Sequence, residues 1–373
     1  MDLHADFTTQ AAERIRQAAA AGTALRIRGG GSKDFYGQAL SGEIVDTTPL
    51  NGVVSYEPSE LVVTALAGTP LAELEALLLA QGQCLPFEPP HFNPGATASA
   101  TVGGMVAAGL SGPARASVGA VRDYVLGVKL INGKGEHLTF GGQVMKNVAG
   151  YDVSRLMVGA MGTLGLLTEI SIKVLPIAPL EATLKFEMTQ AQALHQLNTW
   201  GGQPLPLNAS CWLEEGGVGI LYVRLRGAVA AVEAACGKLG GERLAQDQAV
   251  ADWQLCCNQQ LPWFKARTGE QDLWRLSVPQ TAPVLDLPDA PLIEWHGGLR
   301  WVRADAAHGN AVQKLALAVG GHATLFVAAS ADKSGARAVF SPLKPPLDRI
   351  HRELKREFDP AGVFNPQRMY ADC

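Results

Sequence analysis

One stretch of this chain, residues 94–112, consists almost entirely of glycine, alanine, serine, threonine and other small residues. Small side chains let a second surface approach the main chain closely. Two interpretations remain open: a large flat ligand lies against this backbone, or two helices pack tightly through it. No lysine or arginine occurs from Asp34 through Ala114. The sequence therefore predicts that an anion bound here is held by backbone N–H dipoles.

A second glycine-rich segment lies near the N-terminus. Gly29, Gly30, Gly31 and Ser32 directly follow a predicted strand over residues 24–28. Because glycine tolerates positive φ and leaves its N–H group bare, such a run can form a concave nest that suits a pyrophosphate. The dinucleotide pattern Gly-x-Gly-x-x-Gly is not met, since Asp34 stands at its last position, and the P-loop lacks its first glycine. A glycine-rich turn between strands is the alternative.

Length and composition indicate a two-domain globular protein. The 373 residues exceed the usual size of one hydrophobic core, and an apolar fraction of 47% can fill more than one. All seven tryptophans lie beyond residue 199, whereas glycine is concentrated before residue 180. We therefore expect one domain over residues 1–177, a second over residues 178–340, and a C-terminal helix and tail over residues 341–373.

The apolar pattern predicts short strands that alternate with helices. Helices are expected over residues 8–20, 70–80, 189–199, 228–239 and 345–358. Strands are expected over residues 24–28, 61–66, 125–131, 164–174, 181–187 and 218–225.

Charge and cysteine usage limit the compartment and the partners. The net charge of −4 gives no reason to expect nucleic acid or an anionic membrane surface. No apolar run approaches the roughly 20 residues that span a bilayer, and the N-terminus lacks the layout of a signal peptide. We expect a cytoplasmic protein, with peripheral attachment to the inner face of the cytoplasmic membrane through a complex as the alternative. No two of the six cysteines form a Cys-x-x-Cys motif, so we expect free thiols and no metal site. An iron–sulfur cluster that serves this protein would have to lie on another chain.

Several motifs taken together resemble one family. They occupy residues 28–33, 100–105, 122–127, 145–152 and 162–165, and they end with Asn365-Pro366. In this order they are similar to the FAD-binding subunits of bacterial glycolate oxidases, within the vanillyl-alcohol-oxidase family. The resemblance implies an α+β fold with a two-subdomain PCMH-type FAD-binding domain, an α+β cap domain and a C-terminal tail that returns to the FAD domain. It also implies partner subunits, namely a second FAD-containing subunit and an iron–sulfur subunit, and glycolate or a similar 2-hydroxy acid as substrate.

The resemblance also implies which positions contact FAD. By position, the first loop would cradle the pyrophosphate, and the second would contact the phosphates, the ribityl chain and the ring. Tyr151 and Asp152 would lie near the edge of the ring, and Leu166 or Leu167 near the adenine end. Asn365 would return from the C-terminal tail towards the flavin. These expected cofactor-binding residues are Arg28, Gly29, Gly30, Gly31, Ser32, Lys33, Thr101, Val102, Gly103, Gly104, Ser111, Gly112, Tyr151, Asp152, Leu166, Leu167 and Asn365. Relatives that bond the flavin covalently carry a histidine in the first loop, where Gly31 and Ser32 stand here. We therefore expect non-covalent FAD.

The sequence assigns no catalytic residue. Relatives that oxidise 2-hydroxy acids carry His-x-Gly-Asp-Gly-Asn-x-His, and the nearest analogues here surround His296, His308 and His322 without its spacing or its acidic member. Each of these histidines is a candidate base, or a structural residue. Arg122 and Arg155 are candidate partners for a substrate carboxylate, or members of structural ion pairs.

The tryptophan-rich stretch around Trp253, Trp263 and Trp274 has two interpretations as well. The aromatic residues form a core, or they present an interface for partner subunits. An interface predicts that a charge at Trp263 weakens co-purification of partners without releasing FAD.

Three functional hypotheses follow. The chain itself oxidises glycolate or a similar 2-hydroxy acid with FAD, or it is an FAD-bearing support or relay subunit whose partner performs the chemistry. A stand-alone oxidase of the same fold that acts on another 2-hydroxy acid, an alditol or a sugar is the third. The missing histidine cluster favours the second hypothesis.

Overall fold

A computed structural model describes residues 3–92, 99–142, 152–329 and 337–371 of the chain. The chain divides into two compact units. Unit 1 comprises residues 1–110, 120–176 and 342–373, and unit 2 comprises residues 111–119 and 177–341. Both units are therefore assembled from segments that are far apart in the sequence.

Helices and strands alternate along most of the described chain. The helices are α1 Leu3–Ala21, α2 Leu71–Ala80, α3 Val102–Ala108, α4 Arg115–Val118, α5 Val153–Leu156, α6 Gln190–Gly201, α7 Val229–Leu239, α8 Gln246–Cys257, α9 Pro262–Lys265, α10 Gly309–Ala318 and α11 Leu347–Phe358. The strands are β1 Leu25–Arg28, β2 Glu43–Asp46, β3 Val53–Glu57, β4 Val62–Leu66, β5 Gln83–Cys84, β6 Val125–Ile131, β7 His137–Gly141, β8 Leu166–Lys173, β9 Leu175–Pro176, β10 Leu180–Glu187, β11 Leu207–Glu215, β12 Val218–Gly227, β13 Glu242–Arg243, β14 Gln271–Ser277, β15 Leu292–Glu294, β16 Leu299–Asp305 and β17 His322–Val327.

Unit 1 is built around a five-stranded antiparallel sheet with the order β3-β4-β8-β6-β7. The central strand β8 is buried along most of its length, which explains its nearly continuous apolar sequence. Its polar Ser171 pairs with Thr64 of β4, and the two buried hydroxyls share a hydrogen bond of 2.8 Å. Helices α2 and α3 contribute Leu74 and Met105 to the core on this sheet.

A smaller parallel pair, β1 and β2, lies in the same unit. Its core contains Ile15 of α1, Leu25 of β1 and Phe364 of the C-terminal tail. The tail continues this arrangement, because Leu25 and Phe364 form a parallel bridge and the backbone N–H of Asn365 donates to the carbonyl of Leu25 at 2.9 Å. Residues at the two ends of the chain thus build one wall of unit 1.

Unit 2 is built on an eight-stranded antiparallel sheet with the order β13-β10-β12-β11-β15-β16-β14-β17. Helices α6 and α7 cover one part of it in a core with Trp212, and α10 covers another part in a core with Trp274. Helix α6 begins with a capping box, in which Thr189 and Gln192 each bond the other's backbone N–H. All seven tryptophans are buried, between 2% and 7% exposed.

The elements predicted from the apolar pattern are confirmed within a few residues at each end. The strand expected over residues 125–131 is β6, and the helix expected over residues 345–358 is α11, which begins two residues later. Strands β14, β16 and β17 and helix α10 are not among the predicted elements. The three strands belong to the sheet of unit 2, and α10 packs against it.

Candidate functional site

The two glycine-rich loops of unit 1 meet at one cavity. The cavity has a volume of about 90 Å³, which is the space of about three water molecules and is on the scale of a phosphate group, not of a whole dinucleotide. A second cavity of about 70 Å³ adjoins it through shared wall residues. The first cavity is lined by residues 27–34, Leu40, Ser99, Thr101, Gly104, Ala107, Ala108, Met161, Asn365 and Arg368.

The loops approach each other so closely that side chains would not fit between them. A Cβ atom added at Gly30 would lie 1.8 Å from the backbone oxygen of Ser99, and one added at Gly29 would lie 2.4 Å from Oγ1 of Thr101. Thr101 also caps helix α3, since its Oγ1 accepts the backbone N–H of Gly104 at 3.2 Å. Only glycine therefore permits this arrangement, and the bare backbone of both loops forms the wall of the cavity. This cradle suits a pyrophosphate that is bound through the main chain.

Side-chain charges also line this cavity. Asp34 accepts hydrogen bonds from Arg26 at 2.6 Å and from Arg28 at 2.8 Å, so one carboxylate holds two guanidinium groups beside the loop. The cavity wall carries Arg28, Lys33 and Arg368 against the single carboxylate of Asp34. The wall is thus positive overall. An anion here would meet side-chain charge as well as N–H dipoles, whereas the sequence analysis predicts dipoles alone.

Asn365 joins two walls of the cavity. Its Oδ1 accepts the backbone N–H of Ile27 at 2.8 Å, and its Nδ2 donates to the carbonyl of Met161 at 2.7 Å. The residue is 6% exposed and has a φ of 39°, a left-handed conformation that asparagine tolerates better than most residues. Both polar atoms of its amide are therefore engaged by the protein, and Asn365 acts as a brace between β1 and the loop before Gly162.

Arg368 clamps the loop that follows the glycines. Its guanidinium donates to the carbonyl oxygens of Asp34 at 3.0 Å, of Tyr36 and of Gln38. Burial lowers the pKa of Arg368 to about 10, so the group remains charged at neutral pH. Residue 368 is 330 positions from Gln38 in the chain, and no motif in the sequence signals this contact.

The predicted cofactor residues fall into four groups. Those on the wall of one or both cavities are Arg28, Gly29, Gly30, Gly31, Ser32, Lys33, Thr101, Gly103, Gly104, Leu167 and Asn365. Val102 and Leu166 point into the hydrophobic cores of unit 1 and are fully buried. Ser111 and Gly112 belong to unit 2, and Asp152 caps helix α5 and pairs with Arg155 at 3.0 Å. Tyr151 and residues 145–150 lie outside the described residues.

Unit 2 holds a second cluster of polar groups, around Trp295. The guanidinium carbon of Arg115 lies 4.3 Å from the centroid of the Trp295 ring, and that of Arg275 lies 5.0 Å from it. The indole N–H donates to the carbonyl of Gly112 at 2.9 Å, which fixes the ring against the segment before α4. Two planar cations thus share one rigid aromatic platform. Sequence motifs do not reveal this pair, because residues 115 and 275 are brought together only by the fold.

His296 and His322 lie at this platform. The Nδ1 of His296 is 3.0 Å from Oγ of Ser210, and its Nε2 is 3.0 Å from Oγ of Ser117. Burial lowers the pKa of His296 to about 4, so the ring is neutral at pH 7. Reduced hydration, together with the charges of Arg275 and Arg115, lowers the pKa of His322. Both shifts favour the neutral ring, and each ring binds a proton more weakly than an ordinary histidine does.

The remaining sequence candidates are placed elsewhere. His308 precedes α10 at the surface, Arg122 is exposed, and Arg155 forms the ion pair with Asp152, as the structural interpretation predicts. Trp253, Trp263 and Trp274 are buried, which supports the core interpretation and contradicts a surface interface made by these rings.

The described part of the chain contains no group of three or more His, Cys, Asp and Glu side chains that could hold a metal ion. Cys84, Cys211, Cys236, Cys256 and Cys257 are free thiols. Within the same residues, none of the helices has the length and apolar character needed to cross a bilayer.

Comparison with known proteins agrees with this geometry. Residues 4–141 match a family model described as an FAD binding domain, which identifies the cofactor as FAD. The chain is 46% identical to the glycolate oxidase subunit GlcE of Escherichia coli K12 over 367 residues, which are 98% of each protein. It is 31% identical to the glycolate oxidase subunit GlcD of Bacillus subtilis over 135 residues, which are 36% of this chain and 28% of that protein.

A solved structure confirms the predicted fold class. Alkyldihydroxyacetonephosphate synthase superposes with a TM-score of 0.65 at 16% identity, over 96% of this chain and 75% of that one. The α+β architecture with a PCMH-type FAD-binding fold is therefore shared at the level of the fold.

Proposed function

Since this chain belongs to the family of the glycolate oxidase subunit GlcE, we propose that it is the FAD-binding subunit of a complex that oxidises glycolate, or a similar small 2-hydroxy acid, to the corresponding 2-oxo acid. The chain is an FAD-dependent oxidoreductase that acts on CH–OH groups. The proposal concerns which substrate the complex uses and what this subunit contributes to it.

The cradle in unit 1 is the observation that carries this proposal. Gly29 and Gly30 face Thr101 and Ser99 at distances that exclude a Cβ atom, and the adjoining wall is positively charged. Bare backbone and a positive wall are what the pyrophosphate of a dinucleotide requires. We propose that the two glycine loops hold the pyrophosphate of FAD, and that Leu167 and Gly165 at the second cavity contact another part of the cofactor.

The residues of unit 1 would hold the cofactor by position and charge, without a covalent bond. When bound, FAD would supply an electron acceptor and donor for the oxidation that the complex carries out. The protein contributes the placement of the cofactor, and the brace at Asn365 and the clamp at Arg368 hold the segments before and after the first glycine loop in place. No histidine lies in residues 29–33, where covalent relatives have one, so the cofactor is dissociable.

We place this chain in a complex with a second FAD-containing subunit and an iron–sulfur subunit, as the resemblance implies. The names of the relatives GlcE and GlcD describe subunits of an oxidase, which supports a multi-subunit assembly. In this assembly the chain acts as an FAD-bearing support or relay subunit, and electrons leave through flavin to the partners. We propose a cytoplasmic location, with peripheral attachment to the inner face of the cytoplasmic membrane through the same assembly as the alternative.

Direct oxidation by this chain is the second candidate, and the cluster around Trp295 favours it. A 2-hydroxy acid needs a cation for its carboxylate and a base for its hydroxyl proton. Arg115 and Arg275 supply two guanidinium groups on one ring, and His296 supplies a neutral imidazole beside them.

Anaerobic addition of glycolate, followed by visible absorption of the flavin, separates the two candidates. The relay role predicts that the flavin of the isolated chain stays oxidised and that it bleaches once the partner subunits are added. Bleaching of the isolated chain would overturn the relay role and establish direct oxidation. The variant R275Q then tests whether the Trp295 cluster binds the substrate, since it should slow bleaching without releasing FAD.

A further inference from the structure

Unit 2 contains a large cavity that the proposed function does not use. Its volume is about 480 Å³, within the range of roughly 300–1,000 Å³ that is typical of small-molecule sites. It lies between one face of the sheet and helices α8 and α9. The lining residues are Thr183, Cys211, Leu213, Glu214, Glu215, Tyr222, Leu244, Ala249, Asp252, Trp253, Cys256, Leu261, Pro262, Trp263, Ala266 and Arg303.

The sequence places one face of each element on this cavity. In β11, Cys211, Leu213 and Glu215 alternate, so they lie on one face of the strand while Trp212 packs into the opposite core. In α8, Ala249, Trp253 and Cys256 recur at helical spacing and form one stripe. The floor of the cavity is therefore set by regular structure and does not depend on a loop.

The apolar part of the wall is aromatic and rigid. The indole N–H of Trp253 donates to Oγ1 of Thr183 at 3.0 Å, and that of Trp263 donates to the carbonyl of Ala290 at 3.2 Å. Both indoles are thus fixed in orientation, and their hydrogen-bonding capacity is used. Each ring also stacks with a guanidinium group, since that of Arg224 lies 4.9 Å from the centroid of Trp253 and that of Arg303 lies 4.5 Å from the centroid of Trp263. The rings offer a ligand the apolar surface that these two arginines leave uncovered.

The charged part of the wall is acidic. Glu215 and Asp252 contribute two carboxylates, since the side chain of Glu214 alternates to the other face of β11, and Arg303 is the one cation among the lining residues. Arg303 is neutralised by Asp289, whose carboxylate lies 2.7 Å from its guanidinium. The net charge presented to the cavity is therefore negative.

The other polar groups of the wall are neutral donors and acceptors. The hydroxyl of Tyr222 donates to Oε1 of Glu215 at 2.9 Å, and burial together with this carboxylate raises the pKa of the tyrosine. The thiol of Cys256 donates to Oε1 of Glu294 at 3.4 Å, and a hydrogen bond with the thiol of Cys211, together with burial, raises its pKa. These groups stay protonated at neutral pH and leave the acidic character of the cavity unchanged.

We propose that this cavity binds a small organic cation, with an apolar body against Trp253 and Trp263 and an ammonium or guanidinium group at Glu215 and Asp252. The apolar rings and the carboxylates together select this class, because the rings accommodate an apolar body while the carboxylates attract a cation and repel acids. A neutral apolar ligand would leave the carboxylates unused, and an organic acid would face two like charges. The site is separate from the FAD cradle, since all its lining residues belong to unit 2.

Titration calorimetry of the purified full chain with two matched probes tests this proposal. Tryptamine and indole-3-propionate share one ring system and differ in the sign of their charge. We expect tryptamine to bind at least about tenfold more tightly than the acid. E215Q and D252N should each weaken tryptamine binding by about tenfold, because each removes one charge-assisted contact. Glu187→Gln is the matched control, since Glu187 is an exposed carboxylate of unit 2 outside the cavity.

A steric variant provides an independent check. Ala266 is exposed at the end of α9 and lines the cavity, so Ala266→Trp should block entry without disturbing a core. Equal binding of both probes, binding of neither, or tryptamine binding that is unchanged by E215Q, D252N and Ala266→Trp would overturn the proposal. If the cavity instead holds a side chain of a partner subunit, neither probe should bind. The FAD content of each variant reports separately on unit 1.

Discussion

The side-chain oxygen of Asn365 accepts the backbone N–H of Ile27 at 2.8 Å, across 338 positions of the chain. The tail of the protein thereby closes the wall of the cavity that its N-terminal loop begins. This bond fixes β1 directly before Gly29, so it helps to set the position of the glycine loop.

Removal of the Asn365 amide should weaken the cradle. Asn365→Gly keeps the left-handed backbone conformation but leaves the N–H of Ile27 without its partner, which costs about 1–3 kcal/mol. We expect lower FAD affinity, by about tenfold, in a fluorescence titration of the FAD-free chain. Asn365→Asp keeps an acceptor for Ile27 but places a carboxylate against the carbonyl of Met161 and on the wall of the anion cradle, so it should lose at least as much affinity. Equal FAD affinity in both variants and the wild type would show that the brace is not needed.

Replacement of Arg368 by lysine should loosen the loop over residues 33–38. Lysine keeps the positive charge but cannot reach several carbonyl oxygens at once, as the planar guanidinium does. We expect R368K to retain less FAD on gel filtration than the wild type. Arg349→Lys is the control, since Arg349 forms an exposed ion pair with Glu353 in the same tail. If both variants kept the same flavin content, charge alone would explain the role of Arg368.

A buried ion pair anchors the tail. Lys355 donates to Asp359 at 2.7 Å and to the carbonyls of Thr163 and Phe364, and Asp359 is 1% exposed. Lys355→Met leaves this carboxylate buried without its cation, which costs about 3–5 kcal/mol. We expect the variant to release its flavin at a lower temperature than the wild type does. The rise in flavin fluorescence on heating measures this release. The double variant K355M/D359N should recover part of the loss, and a double variant no better than K355M would argue against an electrostatic origin.

His296 should make unit 2 less stable in mild acid. Its pKa in the folded state is about 4, below the value of about 6.5 in an unfolded chain, so the unfolded state takes up the proton first as the pH falls. The neutral His296 therefore makes its full contribution to the free energy of unfolding above pH 6.5. This contribution declines between about pH 6.5 and 4, by up to about 3 kcal/mol. Tryptophan fluorescence during urea unfolding measures this, since all seven tryptophans lie in unit 2. H296N should show a smaller decline than the wild type over that range, and an equal decline would mean that other groups cause it.

Local patterns in the sequence predict much of the fold, and they do so where a buried element consists of a continuous run of apolar residues. Strands β6 and β8 are apolar runs bounded by glycine, and both are predicted. Strands β14 and β16 are not, because the buried charges Asp272 and Arg300 interrupt their apolar pattern. Arg337 pairs with Asp272, and backbone carbonyls accept from Arg300, so the fold supplies partners that no local pattern reveals.

In the candidate site, too, some residues are predicted by a local sequence pattern, whereas others acquire their role only from the fold. The glycines of both loops are visible in the sequence, since close approach of backbone requires that residue type. Arg368, Arg115 and Arg275 are not visible, because each acquires its role from a neighbour that lies far along the chain. Leu166 and Leu167 are adjacent in sequence, yet the pleat of β8 sends them into two different cores, and only Leu167 also lines the second cavity.

The flavin content of the purified chain tests the central claim most directly, namely that the two glycine loops of unit 1 hold FAD without a covalent bond. The wild type should carry flavin that appears in the supernatant after acid precipitation. Gly30→Ala should lose it, because the new Cβ would lie 1.8 Å from the backbone of Ser99, whereas Gly237→Ala, with nothing within 4 Å, should keep it. Flavin that stays with the precipitated polypeptide, or a full complement of flavin in Gly30→Ala, would contradict this account.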